Sequence, residues 1–391
     1  MSSVLSCNCG IFGHATYRRS LDEYFAGSEH QFNFRFESTS LTEKGPGSFR
    51  AKLAHRILGF RLPWGRKSLD DDHDYYRLRS ELLASTNSRV RIGAYLKSSR
   101  RPDLIHLHTQ GIALRFPTWS RWNGPLVISI DSTTAMFARD NPMKVRTSRK
   151  RLVELEQQCF ENASHIISWT SRAAKSLSDD YGIPQSKISV IYPTVSPTIF
   201  ELFQKAPKVE RSDRNRIPRL LFVGNDFKRK GGEDLVNVYS EKLQGRFELD
   251  VVCGDEIDLP KIPGMRHLKA VTYGSEQWFK LFANADIFVL PTKEECFGLA
   301  FVEALSAGLP LIGTNVMAVP EIVRDGENGL VVSPGDRGAL ADKILLLGQD
   351  SNLRFRLGAG SQSLASHEFD PKVNAGRIAR VFRDALSCGN R

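Results

Sequence analysis

Residues 286–323 read DIFVLPTKEECFGLAFVEALSAGLPLIGTNVMAVPEIV, and this stretch decides the fold. Ile287 to Leu290 is a short apolar run stopped by Pro291, the pattern of a parallel strand buried on both faces. Thr292 to Cys296 is polar and reads as a loop. Phe297 to Ala307 is apolar at helical spacing and stops at Gly308-Leu-Pro310. Leu311 to Gly313 opens another strand. Strand, loop, helix, strand is the repeating unit of a doubly wound α/β sheet.

Two carboxylates punctuate the stretch. Glu295 stands where loop meets helix, and Glu303 lies eight residues on, about 12 Å along a helix axis. A sugar ring and a ribose joined by a pyrophosphate span a distance of that order. Glu303 is ringed by Phe301, Val302, Ala304 and Leu305, so its carboxylate is costly to bury without hydroxyl donors. The helix start offers amides and a positive dipole end for phosphate. Gly298 has no side chain to keep a ligand off that backbone. The same spacing also suits an ordinary amphipathic helix with Glu303 on its wet edge, and spacing alone does not choose.

The full string does. Glu295-Cys-Phe-Gly-Leu-Ala-Phe-Val-Glu303, followed by Ala304-Leu-Ser-Ala-Gly-Leu-Pro310, resembles the E-x7-E signature of family 4 retaining glycosyltransferases. Asp325-Gly-Glu-Asn-Gly-Leu330 matches the turn that follows it in that family. The resemblance implies the GT-B fold: α/β, two doubly wound Rossmann-like domains facing each other across a cleft. It covers most of residues 100–390, is strongest over 286–332 and is weak before residue 100.

Charge is lopsided along the chain. The net charge is +10 in 391 residues, yet residues 1–200 carry 28 Lys and Arg against 18 Asp and Glu, while the remainder is balanced. The excess points to an anionic partner for the first half: a lipid surface, a phosphorylated acceptor or nucleic acid. Arg50 to Lys67 mixes six cations with Leu53, Ile57, Leu58, Phe60, Leu62 and Trp64. It reads either as a core helix with a solvated basic face or as a helix lying on anionic lipid. No apolar run is long enough to span a membrane, no secretory signal opens the chain, and six scattered cysteines favour a reducing compartment. The expected location is the cytoplasm, with peripheral attachment to a membrane's inner face as an extension. Asp70-Asp-Asp-His-Asp74 contains a D-x-D pattern, but no strand precedes it and it reads as an exposed helix start. No metal ligand set emerges.

Strands are expected at Leu104 to His108, Leu126 to Ile130, Ile166 to Trp169 and Ile188 to Ile191, and beyond them at Arg219 to Val223 and Leu249 to Cys253. Residues 1–195 form the expected N-terminal, acceptor-side domain, with a last helix at about 373–391 packing back on it. Residues 196–217 read as a linker, and 218–372 as the C-terminal donor domain. Asp131 sits at a strand's carboxyl end, where open sheets place ligands. It either caps the following helix or binds sugar or acceptor hydroxyls. By position it matches a histidine of the family that contacts the donor sugar, so an Asp here is a departure. Gly224-Asn-Asp-Phe-Lys-Arg-Lys-Gly-Gly232 places three cations on a glycine-bordered loop suited to pyrophosphate. Lys230-Gly231 matches the family's diphosphate-binding Lys-Gly, while Asn225 replaces the family's arginine.

The resemblance implies transfer of a sugar from a nucleotide-sugar to a polysaccharide, glycolipid or small-molecule hydroxyl, with retention and without metal or other cofactor. Arg229 and Lys230 would stabilise the leaving diphosphate together with the amides of Phe297, Gly298 and Leu299. Gly224 would border the donor, Glu295 orient its sugar and Glu303 hold its ribose. Rival readings are another nucleotide-sugar enzyme on the same fold, or a basic protein binding an anionic surface or nucleic acid. The aromatic-basic motifs of nucleic-acid modules are missing, so nucleic acid is not an expected partner.

Overall fold

A computed structural model describes residues 1–8, 14–27, 32–39, 76–98, 101–140, 147–205 and 216–388. The basic stretch 50–67 and the acidic stretch 70–74 lie outside these residues. The chain folds as two compact units. One joins Met1–Tyr192 to Lys372–Arg391, and the other is Pro193–Pro371.

The first unit is built on β1 (Ser2–Asn8), β2 (Phe32–Ser38), β3 (Leu104–His108), β4 (Leu126–Ile130), β5 (His165–Ser168) and β6 (Ile188–Val190). They form one parallel sheet in the order β2-β1-β3-β4-β5-β6. Every residue of β3 and β4 is buried, as helix-covered parallel strands require. His106 and His108 belong to this core. Ser6 Oγ bonds both rings, at 3.1 and 2.8 Å, and Ser129 Oγ meets His106 at 2.7 Å. Burial pushes the His106 imidazole down to about 3, so it stays neutral. These histidines brace three strands from within.

The edge strand β2 carries Phe32, Phe34 and Phe36 at period two. Phe25, from the His14–Phe25 helix, stacks on Phe34 at 4.4 Å between ring centroids. Phe382, from the Pro371–Cys388 helix, reaches Phe25, Phe32 and Phe34 within 5.9–6.1 Å. Asn374 Nδ2 of the same helix donates to the Tyr192 carbonyl at 3.0 Å.

The second unit holds β7 (Arg219–Val223), β8 (Glu248–Val252), β9 (Met265–Leu268), β10 (Ile287–Val289), β11 (Leu311–Thr314) and β12 (Gly329–Val332). All are parallel, in the order β12-β11-β10-β7-β8-β9. The chain winds outward one way from β7 and the other way from β10, so the strand order reverses between these neighbours. Loops leaving a parallel sheet at such a switch point form a ligand crevice.

Two expectations need correction. Residues 196–217 are not a plain linker, because a helix spans Pro197–Lys205 and lies within the second unit. Ser196 Oγ accepts from the Ile199 amide at 3.3 Å at its start. Ile199, Phe200 and Phe203 are buried, and Phe203 stacks on Phe279 at 5.0 Å. Tertiary burial holds this helix together despite its weak sequence period. The helix after β10 begins at Leu299 rather than Phe297. Gly298 adopts φ +90°, which helical geometry forbids, so Glu295 stands outside the helix. The separation of Glu295 and Glu303 is therefore not eight helical rises.

Candidate functional site

β7 and β10 lie side by side, with Ile287 opposite Leu220 and Phe288 opposite Leu221. Their following loops, 224–231 and 290–298, must leave the same sheet end as neighbours. Hydrogen bonds sew them together. The Arg229 carbonyl accepts from the Lys293 amide at 2.8 Å and from Thr292 Oγ1 at 3.3 Å. Arg229 Nη1 donates back to the Glu294 carbonyl at 2.6 Å, and its Nε to Asp226 at 2.6 Å. Thr314 at the end of β11 donates to the Thr292 carbonyl at 2.6 Å.

Gly231 fixes how closely the loops approach. Its φ is +75°, and an added Cβ would lie 2.0 Å from the Pro291 carbonyl oxygen. Gly231→Ala therefore combines a disfavoured backbone with a backbone clash. We expect a loss of at least about 1–3 kcal/mol, read from urea unfolding, together with weakened donor binding. Wild-type values for both would show that the loops tolerate separation.

The stitched loops bring Lys230 and Glu295 together. The Lys230 ammonium donates to Glu295 Oε2, and both side chains are nearly sealed from solvent, at 13% and 9% exposure. Glu303 approaches from the Leu299–Ser306 helix and is 6% exposed. Its carboxylate has no hydrogen-bond partner among the described residues, an expensive state for a buried polar group. Burial pushes its pKa up to about 8, against a smaller opposing pull from the Lys230 ammonium. Lys230 is thus a neighbour of both carboxylates. A Cβ on Gly298 would lie 3.2 Å from Glu295 Cγ and 2.8 Å from the Phe301 ring. That places the uncapped helix start against the same pair.

The remaining candidates divide by what they touch. Gly224 lies against the Lys230 stem, since a Cβ there would meet Lys230 Cγ at 3.3 Å. Leu299 opens the helix and is partly exposed, whereas the Phe297 ring is buried, 6.5 Å from Phe369. Only the Phe297 backbone could serve a ligand. Arg229 uses two of its nitrogens to hold the loops. Asn225, at the family's arginine position, accepts from the Gly254 amide at 2.9 Å, and Asp255 accepts from the Phe227 amide at 2.9 Å. Asn225 thereby ties the loop after β7 to that after β8. Sequence reasoning missed Asp234, which is buried and ion-paired to Lys293 at 2.9 Å and to Arg337 at 2.8 Å. It anchors the loop that carries Glu295. An acidic residue in a helix's first turn gave no hint of this.

Asp131 lies in the first unit, at the end of β4, and is half-buried. Ser132 Oγ donates to its Oδ1 at 3.2 Å. It does not cap the Thr134–Asp140 helix. Thr133 does, accepting from the Met136 amide at 3.0 Å. The Asp325–Leu330 turn is structural: Asn328 accepts from the Arg324 amide at 2.7 Å and donates to the Ile322 carbonyl at 2.8 Å.

Comparison with known proteins agrees with this architecture. The model described as Glycosyltransferase Family 4 matches residues 36–198, and that described as Glycosyl transferases group 1 matches residues 217–350. The chain is 24% identical over 296 residues to alpha-D-kanosaminyltransferase of Streptomyces kanamyceticus, covering 72% of this chain and 77% of that protein. Among solved structures, sucrose-phosphate synthase from Thermosynechococcus elongatus superposes with a TM-score of 0.72 at 17% identity, over 99% of this chain and 100% of that one. HepE from Anabaena in complex with UDP-glucose gives 0.66 at 16% identity, over 98% and 100%. No helix among the described residues is long and apolar enough to cross a membrane. Two adjoining family models and a shared pair of parallel sheets lead to one conclusion: this chain is a GT-B glycosyltransferase and belongs to glycosyltransferase family 4.

Proposed function

We propose that the protein transfers a sugar from a nucleotide-diphosphate donor to an acceptor hydroxyl, with retention of anomeric configuration and without a metal. The observation that carries this reading is the Lys230–Glu295 pair beside the unpartnered Glu303 at the β7–β10 switch point. In this mechanism the bond between the anomeric carbon and the diphosphate oxygen breaks, and negative charge gathers on the leaving group. Lys230 and the amides at Gly298 and Leu299 stabilise that charge, and Arg229 adds a second cation through the donors it does not use on the loops. Glu295 orients the donor sugar through its hydroxyls while paired to Lys230. Glu303 accepts hydrogen bonds from the ribose hydroxyls. The acceptor oxygen attacks from the leaving-group side and passes its proton to the departing phosphate. Asp131 takes a hydroxyl of the sugar or acceptor.

The first unit supports an anionic acceptor or surface. Arg89 has the like charges of Arg115 and Arg121 near it and no acidic ion-pair partner among the described residues, and burial first, then those two charges, hold its guanidinium below the usual value.

The donor is tested with a thermal-shift panel of UDP-, GDP- and ADP-glucose. A ligand that binds only the folded protein at 100 times its Kd adds about 2.7 kcal/mol. We expect one nucleotide to shift Tm clearly above the others, and turnover with it to survive EDTA. No shift with any donor, or loss of turnover on chelation that divalent metal restores, would overturn the reading. Product anomer assignment by NMR decides retention.

A further inference from the structure

The loop at the end of β4 is held by a group that the proposed chemistry does not use. Glu156 lies on the Thr147–Asn162 helix and is fully buried. Four donors converge on its carboxylate. They are the Thr134 amide at 3.0 Å, Thr134 Oγ1 at 2.8 Å, Gln110 Nε2 at 3.1 Å and the Tyr181 hydroxyl. No Lys or Arg pairs with it among the described residues.

Gln110 and Tyr181 come from outside the loop, and each also grips it at a second point. Gln110 Nε2 reaches the Ser132 carbonyl at 3.0 Å. The Tyr181 oxygen accepts from the Ala135 amide at 3.1 Å. Thr133 Oγ1 meets Ser176 Oγ at 2.7 Å. Residues 132–135 are therefore pinned one after another, and Asp131 precedes them directly. Beside Gln110, Thr109 holds φ +82°, ψ +140°, a region nearly closed to residues with a side chain and most closed to β-branched ones. Its amide donates to the Ser129 carbonyl of β4 at 2.7 Å.

A buried carboxylate without a cation, and a strained threonine beside it, both oppose stability. Both are found around the same loop. An apolar side chain at position 156 would leave four buried donors without an acceptor, so the carboxylate and the loop it gathers are held as one unit. We propose that Glu156 is a positioning residue. It fixes the 131–135 loop so that the Asp131 carboxylate is preset for the hydroxyl it binds, and it touches no substrate itself. This rests on the reading that Asp131 belongs to the site.

The test compares Glu156→Gln, Asp131→Asn and the double variant in the full-length protein. Thermal melts confirm folding, and donor and acceptor kinetics are measured separately. Gln turns one acceptor oxygen into a donor facing other donors, so the loop loosens while volume is kept. We expect Glu156→Gln to lower kcat by about tenfold or more, as misplacement of a reacting group does. Donor KM should change less than about twofold, because the donor loops lie in the other unit. The double variant should be no slower than Asp131→Asn alone. Multiplied losses in the double variant would overturn the inference, since Glu156 would then act apart from Asp131. So would unchanged kcat for Glu156→Gln when Asp131→Asn is impaired. Unchanged kcat for Asp131→Asn would instead remove Asp131 from the site, and the inference with it. If Glu156→Gln does not fold, Tyr181→Phe, which deletes one donor and leaves the carboxylate, is judged by the same comparisons.

Discussion

Lys230→Ala lowers turnover by about 10²–10³-fold, the effect of removing one preorganised charge from a developing anion. The expectation follows from where the ammonium is held. The two loops at the switch point are sewn together and the ammonium is ion-paired to nearly buried Glu295, and an ammonium already in place needs no reorganisation as the diphosphate departs. The same variant strips nearly buried Glu295 of its partner, which costs roughly 3–5 kcal/mol in comparable buried pairs. Lost activity could then mean lost fold. The double variant Lys230→Ala/Glu295→Gln separates the two. It should recover most of the stability while remaining as slow as Lys230→Ala. Near-normal kcat in either variant, measured with saturating donor, would remove Lys230 from its assigned task.

Above about pH 8, where the wild-type carboxylate is charged, Glu303→Gln should weaken donor binding by about tenfold or more, the cost of replacing a charged acceptor of hydroxyl hydrogen bonds. It should also change how stability responds to pH. The folded chain ionises Glu303 only near 8, because burial disfavours the charge. The unfolded chain ionises it in the ordinary carboxylate range. Between those values the folded state keeps a proton that the unfolded state has released, so wild-type stability falls as pH rises across that window. The difference is on the order of a few kcal/mol. Glu303→Gln lacks this slope and should gain on the wild type between pH 5 and pH 8 in urea titrations. Wild-type donor affinity should meanwhile rise with pH through about 8, as the ionised carboxylate becomes available to hydroxyls. Parallel pH slopes for the two proteins would sink the assignment of Glu303 as a buried, unpartnered acid.

Much of the second unit was legible because its strands are short apolar runs ended by glycine or proline. Arg219–Val223 was read to the residue, and β8, β10 and β11 to within one residue at either end. The β7–β10 pairing could not be read, since adjacency in a parallel sheet leaves no local trace. The pairing of Lys230 with Glu295 was hidden for the same reason. Other elements were read only in part or not at all, because their buried faces are not apolar; of the Tyr76–Ser98 helix only a start at 70–74 was expected. The Tyr76–Ser98 helix buries Ser85, Asn87, Ser88 and Arg91 beside Ile92. Asn87 and Arg91 spend their donors on the carbonyls of Thr39 and Ser38, at 2.7 and 2.9 Å. A hydrophobic period cannot report such a face. The Ser351–Glu368 helix contains Gly358 and Gly360, which look like breakers. A Cβ at 360 would come within 2.0 Å of the Glu327 carbonyl, so glycine there permits close packing against a neighbouring turn. The strand β2 did carry a signal, Phe at 32, 34 and 36, but its neighbourhood hid it.

The aromatic seat of Phe382 bears on how the protein is made. The first unit closes only with residues 372–391, yet Pro193–Pro371 comes between. A ribosome therefore releases the second unit's whole sequence before the first can cover Phe25, Phe32 and Phe34. During that interval an edge strand and three phenylalanines stand open to water, a surface prone to self-association. Chaperone demand in the cell should thus track the wait for the final helix, and a nascent chain stopped near residue 370 should be the species most apt to aggregate.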